Sequence, residues 1–231
     1  MSDISWFKFE NKDLDFPFYK KNPYVPKWGW LILLFTVPFG LLFSASDKVY
    51  ICIMGCAIML IPLLYFLKWD YKAIFQKPKA KDVAIAVGLF VGYLAYAMVM
   101  SLILEQFGIA PTADLIEANS ISVMSFLPLI FSLMGEELVK FIPFMFFLRV
   151  CFKYSNRRKL SVIISMILVM VFFAGLHAID MKMFLFAIFI QGFGSIFEFI
   201  GYIKTKNILI SYITHFCTDA FIFALTILGM T

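Results

Sequence analysis

The sequence predicts an all-α, polytopic membrane protein, a bundle of about seven transmembrane helices. The first observation is composition: 62% of the 231 residues are hydrophobic and 15% are charged, whereas soluble domains have roughly 45–50% apolar and about 25% charged residues. The second is the presence of several apolar runs of the length, about 18 residues or more, that a helix needs to cross a bilayer. The third is that basic residues concentrate in every second connecting segment. In lipid, such runs must be helical because each backbone N–H and C=O group needs an internal partner.

The apolar runs place the helices, in order, at 28–45, 49–67, 83–104, 122–148, 160–179, 183–202 and 207–230. Prolines interrupt three of these runs, which membrane helices tolerate when neighbouring groups satisfy the freed carbonyls. The chain therefore divides into an N-terminal segment, 1–27, and one transmembrane domain, 28–231.

The N-terminal segment is polar and mixed in charge at its start, so no cleavable signal peptide is expected. Its lysines alternate with aromatic residues, a composition typical of a segment that lies along the membrane interface. These aromatic residues are Trp6, Phe7, Phe9, Phe16, Phe18 and Tyr19. The four cysteines lie in or beside apolar runs without CxxC spacing, which predicts buried thiols rather than disulfides or a zinc site.

The distribution of basic residues predicts the orientation of the chain. Nearly all of the 20 Lys and Arg residues precede the first helix or lie in the connections after the second, fourth and sixth helices. By the positive-inside rule the N-terminus is cytoplasmic and the C-terminus is outside. The net charge of +5 is then an orientation signal, and no nucleic-acid motif accompanies it.

Ionisable residues within membrane helices are costly and often functional. Those within the predicted helices are Glu136, Glu137, Lys140, His177, Glu198, His215 and Asp219. Glu136 and Lys140 are spaced i,i+4 with the acid first, the favourable order for a helix ion pair. His215 and Asp219 have the same spacing and so share a helix face.

Helices four, five and seven could each direct one polar group to a common point. Such a site would supply a carboxylate base, imidazoles for proton transfer or metal ligation, and groups that hold an oxyanion, as amide hydrolysis requires. Structural alternatives remain open. Glu136 and Lys140 could form an ion pair that ties helices together, a histidine could be a satisfied hydrogen-bonding group, and the polar residues could form the proton path of a transporter.

At these residues the chain resembles the CPBP family of intramembrane proteases, the CAAX-protease and bacteriocin-processing group also called Abi. That family carries Glu-Glu-x-x-x-Arg, then Phe-x-x-x-His, then His-x-x-x-Asn or Asp, each on its own helix. The stretches "EELVKF", "FAGLH" and "HFCTD" supply, in this order, Glu136 and Glu137, Phe173 and His177, and His215 and Asp219. The resemblance covers about residues 120–225. It departs from the motif at Phe141, which stands in the arginine position, with Lys140 one place earlier.

The resemblance implies catalytic carboxylates from Glu136 and Glu137, with Glu136 as the general base on a water molecule. It implies that His177 positions this water, or that Glu136, His177 and His215 hold Zn²⁺ or another divalent metal. His215 and Asp219 would stabilise the oxyanion or complete the metal site. Lys140 and Phe173 would support these groups. Metal-dependent and glutamate-only hydrolysis both remain open.

The implied function is an intramembrane endopeptidase of the bacterial cell membrane, acting on a membrane-associated peptide or protein. Processing of bacteriocins or signal peptides, or self-immunity, is favoured over CAAX prenyl-protein processing. The alternative is a catalytically inactive scaffold or bacteriocin-immunity protein with the same fold.

Two positions fit this scheme poorly. With straight helices rising 1.5 Å per residue, His177 lies almost at the far end of its helix, so either that helix tilts or the turn "HAIDMKM" dips into the membrane. Glu198 has no role in the family motif. It either hydrogen-bonds the site from behind or marks a polar cavity, and the second interpretation is slightly favoured.

Overall fold

The computed structural model describes residues 9–10, 13–21, 23–109 and 122–229. In these residues it contains helices and no strand, so the all-α prediction is confirmed. The α-helices are α1 (Lys27–Ser44), α2 (Val49–Phe66), α3 (Ala80–Gln106), α4 (Phe126–Ser155), α5 (Arg158–Leu176), α6 (Met181–Ala187), α7 (Ile196–Thr205) and α8 (Ile208–Ile227).

Six helical stretches are long and apolar enough to cross a membrane, which indicates a multi-pass integral membrane protein. They are α1, α2, α3, α5, α8 and the stretch Met181–Thr205 that contains α6 and α7. The 30-residue helix α4 is not among them. Its apolar stretch carries Glu136, Glu137 and Lys140, too many charged residues for an ordinary spanning helix.

The helix α4 is the centre of the bundle and contacts α1, α2, α5 and α8. All nine of its residues from Glu137 to Met145 are buried, so neighbours surround this part of the helix on every side. The helix ends at Ser155, where Asn156 adopts a left-handed conformation with φ of 51°, seven residues beyond the predicted boundary at 148. A charged residue in the middle of α4 therefore faces protein rather than lipid.

Small residues allow α1 and α2 to approach closely on one side of α4. A Cβ atom added to Gly55 of α2 would lie 2.6 Å from the backbone nitrogen of Ser44 and 2.7 Å from the carbonyl oxygen of Gly40, both in α1. Such contacts between small residues are a common basis of helix packing in membranes, where burial from water does not drive association.

The predicted sixth helix is interrupted in its middle. A π-helical turn, Ile188–Gly192, and a 3₁₀ turn, Phe193–Ser195, separate α6 from α7. Turns of the π type are rare and are often found at functional sites. The changed hydrogen-bonding pattern alters the directions in which successive side chains point, and it does so where the helix contacts α5.

The N-terminal segment packs into one end of the bundle. The side chains of Phe16, Phe18 and Tyr19 are no more than 2% exposed and belong to the main hydrophobic core. These three rings pack among the protein's helices, whereas Phe9 is 42% exposed, and the position of the segment along the membrane interface stays a prediction. Trp6 and Phe7 lie outside the described residues.

A buried ionic group fixes this segment to the bundle. The carboxylate of Glu10 accepts hydrogen bonds from both terminal nitrogens of Arg158, each at 2.7 Å, and from Lys206 at 2.6 Å. At the same end, Gln76 and Asn207 exchange hydrogen bonds of 3.2 and 2.8 Å between the loop before α3 and the start of α8. The four basic segments of the sequence thus meet at one end of the molecule.

Candidate functional site

Three helices bring a group of buried polar side chains together, which we call the charge cluster. It consists of Glu137, Lys140, Glu198, Ser211 and His215. The two carboxylates and the ammonium group are nearly inaccessible to solvent: the side chains of Glu137, Lys140 and Glu198 are 3%, 4% and 10% exposed. Buried charges persist only when they are paired and hydrogen-bonded.

The ammonium group of Lys140 is at the centre of the cluster. Its Nζ lies 2.5 Å from Oε1 of Glu137, contacts Oε2 of Glu198, and lies 3.4 Å from Nδ1 of His215. It also lies over the ring of Phe173, 4.7 Å from the centroid, an arrangement that attracts a cation to the ring face. Two carboxylates and one ammonium group leave one uncompensated negative charge, which a protonated His215 would cancel.

The pairing of Lys140 differs from the sequence expectation. We expected its partner to be Glu136 at spacing i,i+4, but the salt bridge is to Glu137 at spacing i,i+3. The reason lies in the rotation of α4: Glu137 and Lys140 face the buried side toward α7 and α8, whereas the side chain of Glu136 is 21% exposed. The second partner of Lys140 is Glu198: of the two interpretations offered for this residue, the less favoured one, a hydrogen bond to the site, is present.

A cavity of about 250 Å³ adjoins the charge cluster. Its lining includes most of the predicted site residues together with groups from the interrupted helix: Tyr93, Glu136, Phe173, His177, Gln191, Ser195, Glu198, His215, Thr218 and Asp219. The structure therefore brings the three motif-bearing helices to one place. Glu137 and Lys140 are set back from the cavity, within the charge cluster.

The imidazole of His215 joins the cluster to the cavity. Its Nδ1 lies 2.9 Å from Oε1 of Glu137, while Nε2 lies 3.8 Å from Oε2 of Glu136 and 3.8 Å from Oδ2 of Asp219. A carboxylate that accepts a hydrogen bond from Nδ1–H fixes the tautomer and directs the other nitrogen outward. Nε2 thus faces the cavity between two carboxylates, at separations that one bridging water molecule can span.

His177 is the cap residue at the C-terminal end of α5. Its Nδ1 lies 2.9 Å from the carbonyl oxygen of Phe173, and its ring packs edge-on against the Phe173 ring with centroids 4.6 Å apart. With Nδ1 held by this carbonyl, Nε2 is the nitrogen that remains for contacts in the cavity. His177 lines the same cavity as Glu136 and His215, and Ala174, near the end of α5, lies against Gly192 of the π-helical turn.

Two groups of residues are possible metal ligands, one within the charge cluster and one at the cavity. Ligand atoms of Glu137, Glu198 and His215 all lie within 4.8 Å of one another. The ammonium group of Lys140 contacts both of these carboxylates, so a divalent cation fits there only if the lysine is displaced. The buried set therefore does not fit a metal.

The predicted metal set of Glu136, His177 and His215 is not drawn together in the same way: among the described residues, the group whose ligand atoms all lie within 4.8 Å of one another includes His215 but neither Glu136 nor His177. Oε2 of Glu136 and Nε2 of His215 approach within 3.8 Å, and His177, the third predicted ligand, lines the same cavity. Carboxylate and imidazole groups are ordinary zinc ligands.

Ser211, Gln191 and Ser195 were not predicted as site residues, and Glu198 was noted from the sequence without a role in the motif. Glu198 carried the signal of an acid in an apolar run, and Ser211 stands i−4 from His215 on the same face of α8, from where it donates a hydrogen bond to Glu137. Gln191 and Ser195 gave no periodic signal, because the irregular turns between α6 and α7 place them at the cavity.

Comparison of the chain with models of known protein families, with curated proteins and with solved structures gives no significant match. The geometry of the site therefore carries the functional argument.

Proposed function

We propose that this protein is an intramembrane endopeptidase that hydrolyses a peptide bond in a membrane-associated peptide or protein. The observation that carries the proposal is the position of His215. One ring nitrogen is held by a buried carboxylate, and the other faces Glu136 across 3.8 Å in a cavity large enough for water and peptide backbone.

In the proposed mechanism, Glu136 is the general base. It removes a proton from a water molecule in the cavity as the water oxygen attacks the peptide carbonyl carbon. The carbonyl oxygen becomes an oxyanion, and Nε2–H of a protonated His215 donates a hydrogen bond to it. The C–N bond then breaks, and the protonated Glu136 returns its proton to the leaving amine.

The other residues orient these groups. Glu137 holds Nδ1 of His215, and Lys140 prevents two buried carboxylates from repelling each other. Asp219 and His177 would position the water or the substrate carbonyl. Zn²⁺ would be held by Glu136, His177 and His215 only after their ligand atoms move closer together; bound there, it would supply Lewis-acid activation of a water molecule.

The proposal includes a seven-helix topology in which α4 spans the membrane, with the N-terminus cytoplasmic and the C-terminus outside, in a bacterial cell membrane. It is supported by the meeting of all four basic segments at one end of the bundle. A reporter that is active only outside the membrane, fused after residue 231, should be active, and an inactive fusion would reject the orientation.

The catalytic test uses the full chain, purified in detergent, with a panel of membrane-anchored peptides. Glu136→Gln and His215→Gln should each reduce cleavage by at least about 10²-fold while thermal unfolding remains cooperative. Glu105→Gln, the same change at an exposed end of α3, should cleave as the wild type does. Loss of cleavage on adding a chelator, with recovery on adding Zn²⁺, would assign the metal-dependent route.

One observation favours a second function, that of a non-catalytic membrane scaffold or bacteriocin-immunity protein. The groups of the charge cluster satisfy one another, as they would in a purely structural ion network. If the wild type cleaves no peptide while Glu136→Gln and His215→Gln still support the protein's function in cells, this alternative holds and the endopeptidase proposal fails.

A further inference from the structure

A second cavity lies at the basic end of the bundle, and its lining shares no residue with that of the first cavity. It has a volume of about 310 Å³ and is bounded by the N-terminal segment, the start of α3 and the end of α7. We call it the lysine cavity because four lysines line it: Lys77, Lys79, Lys81 and Lys204.

The acidic residues of this cavity already have partners. Glu10 is held by two hydrogen bonds from Arg158 and one from Lys206, so its negative charge is more than matched. Asp82 accepts a hydrogen bond of 3.0 Å from the backbone N–H of Lys79. The hydrogen bond from a neutral backbone group leaves the charge of Asp82 in place, so four lysine charges face this one carboxylate and the cavity keeps a net positive charge.

The four ammonium groups have no carboxylate within 4.0 Å among the residues that the structure describes. Like charges around one cavity repel each other, and an anion placed between them would relieve this repulsion. The cavity therefore has a net positive charge that a negatively charged ligand would offset.

The surroundings indicate where this ligand comes from. The loop before α3 exposes Trp69 and Tyr71, 62% and 56% accessible, residues that concentrate at the level of lipid headgroups. The apolar stretch of α3 is almost entirely exposed, with only 6% of its residues buried in the bundle. Val83 and Val87 form an exposed apolar strip of this helix next to the cavity.

We propose that the lysine cavity binds the phosphate headgroup of an anionic phospholipid, whose acyl chains lie along the exposed face of α3. Basic pockets beside membrane helices bind such headgroups through several lysine contacts. The proposal does not depend on peptidase activity, and either can fail without the other.

The test measures thermal unfolding of the full chain in neutral detergent, titrated with phosphatidylglycerol, with phosphatidylcholine, or with inorganic phosphate. Phosphatidylglycerol should raise the unfolding midpoint of the wild type, whereas phosphatidylcholine should not. The triple variant Lys79→Gln/Lys81→Gln/Lys204→Gln should bind phosphatidylglycerol at least about tenfold more weakly.

The matched control changes the same charge elsewhere. Lys68→Gln/Lys72→Gln/Lys182→Gln alters three exposed lysines that do not line the cavity and should retain the wild-type response. Native mass spectrometry of co-purified phosphatidylglycerol gives a second readout that does not depend on variant stability. An equal response of both triple variants would overturn the proposal, and so would equal stabilisation by millimolar inorganic phosphate, which would make the ligand a free anion.

Discussion

Replacing Lys140 by methionine should destabilise the protein severely, although the side chain is a charged residue in an apolar helix. Methionine has a similar length and no charge, so the change removes the ammonium group with little change in packing. What remains are the carboxylates of Glu137 and Glu198, buried and facing the place that the ammonium group occupied.

The magnitude follows from the number of partners lost. Removing one partner of a buried ion pair costs about 3–5 kcal/mol because it leaves an uncompensated charge. Lys140 serves two carboxylates, which would place the cost at the upper end of this range. His215 remains 2.9 Å from Glu137 and compensates one of them, so we expect about 3–5 kcal/mol in the free energy of unfolding.

The assay is equilibrium unfolding in mixed micelles of neutral and denaturing detergent. Lys153→Met changes an exposed lysine of the same helix and should lie within about 0.5 kcal/mol of the wild type. The double variant Lys140→Met/Glu198→Gln removes one of the stranded anions and should recover at least half of the loss. If Lys140→Met unfolds like Lys153→Met, the lysine is not the counter-ion of the cluster and the reasoning is refuted.

Three further predictions concern the ends and contacts of the helices. Burial lowers the pKa of Lys206 to about 8, against the opposing pull of Glu10. An unfolded lysine keeps its proton to about pH 10.4, so the unfolded chain binds more protons between pH 8 and 10 and the unfolding midpoint should rise over this range. Lys206→Met should flatten this rise, and an unchanged slope would contradict the assignment. Glu10→Gln should lower the free energy of unfolding by about 3–5 kcal/mol and speed proteolysis of the N-terminal segment. The control Asp15→Asn changes a side chain that is 39% exposed and should cost under about 1 kcal/mol. Equal rates of proteolysis in the two variants would count against the buried ionic group. Gly55→Ala should cost about 1–3 kcal/mol in the free energy of unfolding because the added Cβ would meet the backbone of α1. Gly88→Ala, with open space around it, should be neutral or slightly stabilising. The reverse order would show that α1 and α2 can separate freely.

The sequence predicted the helical class and the convergence of its polar motifs because these depend on local properties. The length of an apolar run and the i,i+4 spacing of His215 and Asp219 do not depend on how the helices pack. The prediction that Glu136, His177 and His215 share one cavity followed from the same motifs, and all three line it.

The contacts between side chains within the site could not be predicted in the same way, because they depend on how the helices pack. Which of Glu136 and Glu137 binds Lys140 depends on the rotation of α4, which the neighbouring helices determine. The role of Glu198 depends on the turns between α6 and α7, where the helical period that sequence analysis assumes is interrupted. The burial of Phe16, Phe18 and Tyr19 against the helices could not be predicted either, because a segment packed on the bundle and one that stands free of it share the same composition.

The position of Lys140 has a consequence for the order in which the protein is made. Its second counter-ion, Glu198, lies 58 residues further along the chain, so at roughly 5–20 residues per second the ribosome delivers it about 3–12 s after the lysine. During that interval α4 carries its charges without the helix that completes their neutralisation, and it can pack fully into the bundle only once α7 has been synthesised. In a variant without the native cysteines, Leu138→Cys places a thiol at a fully buried position of α4. Chains released before Glu198 should leave this thiol accessible to a water-soluble reagent while full-length chains protect it, and equal labelling would show that α4 packs without α7.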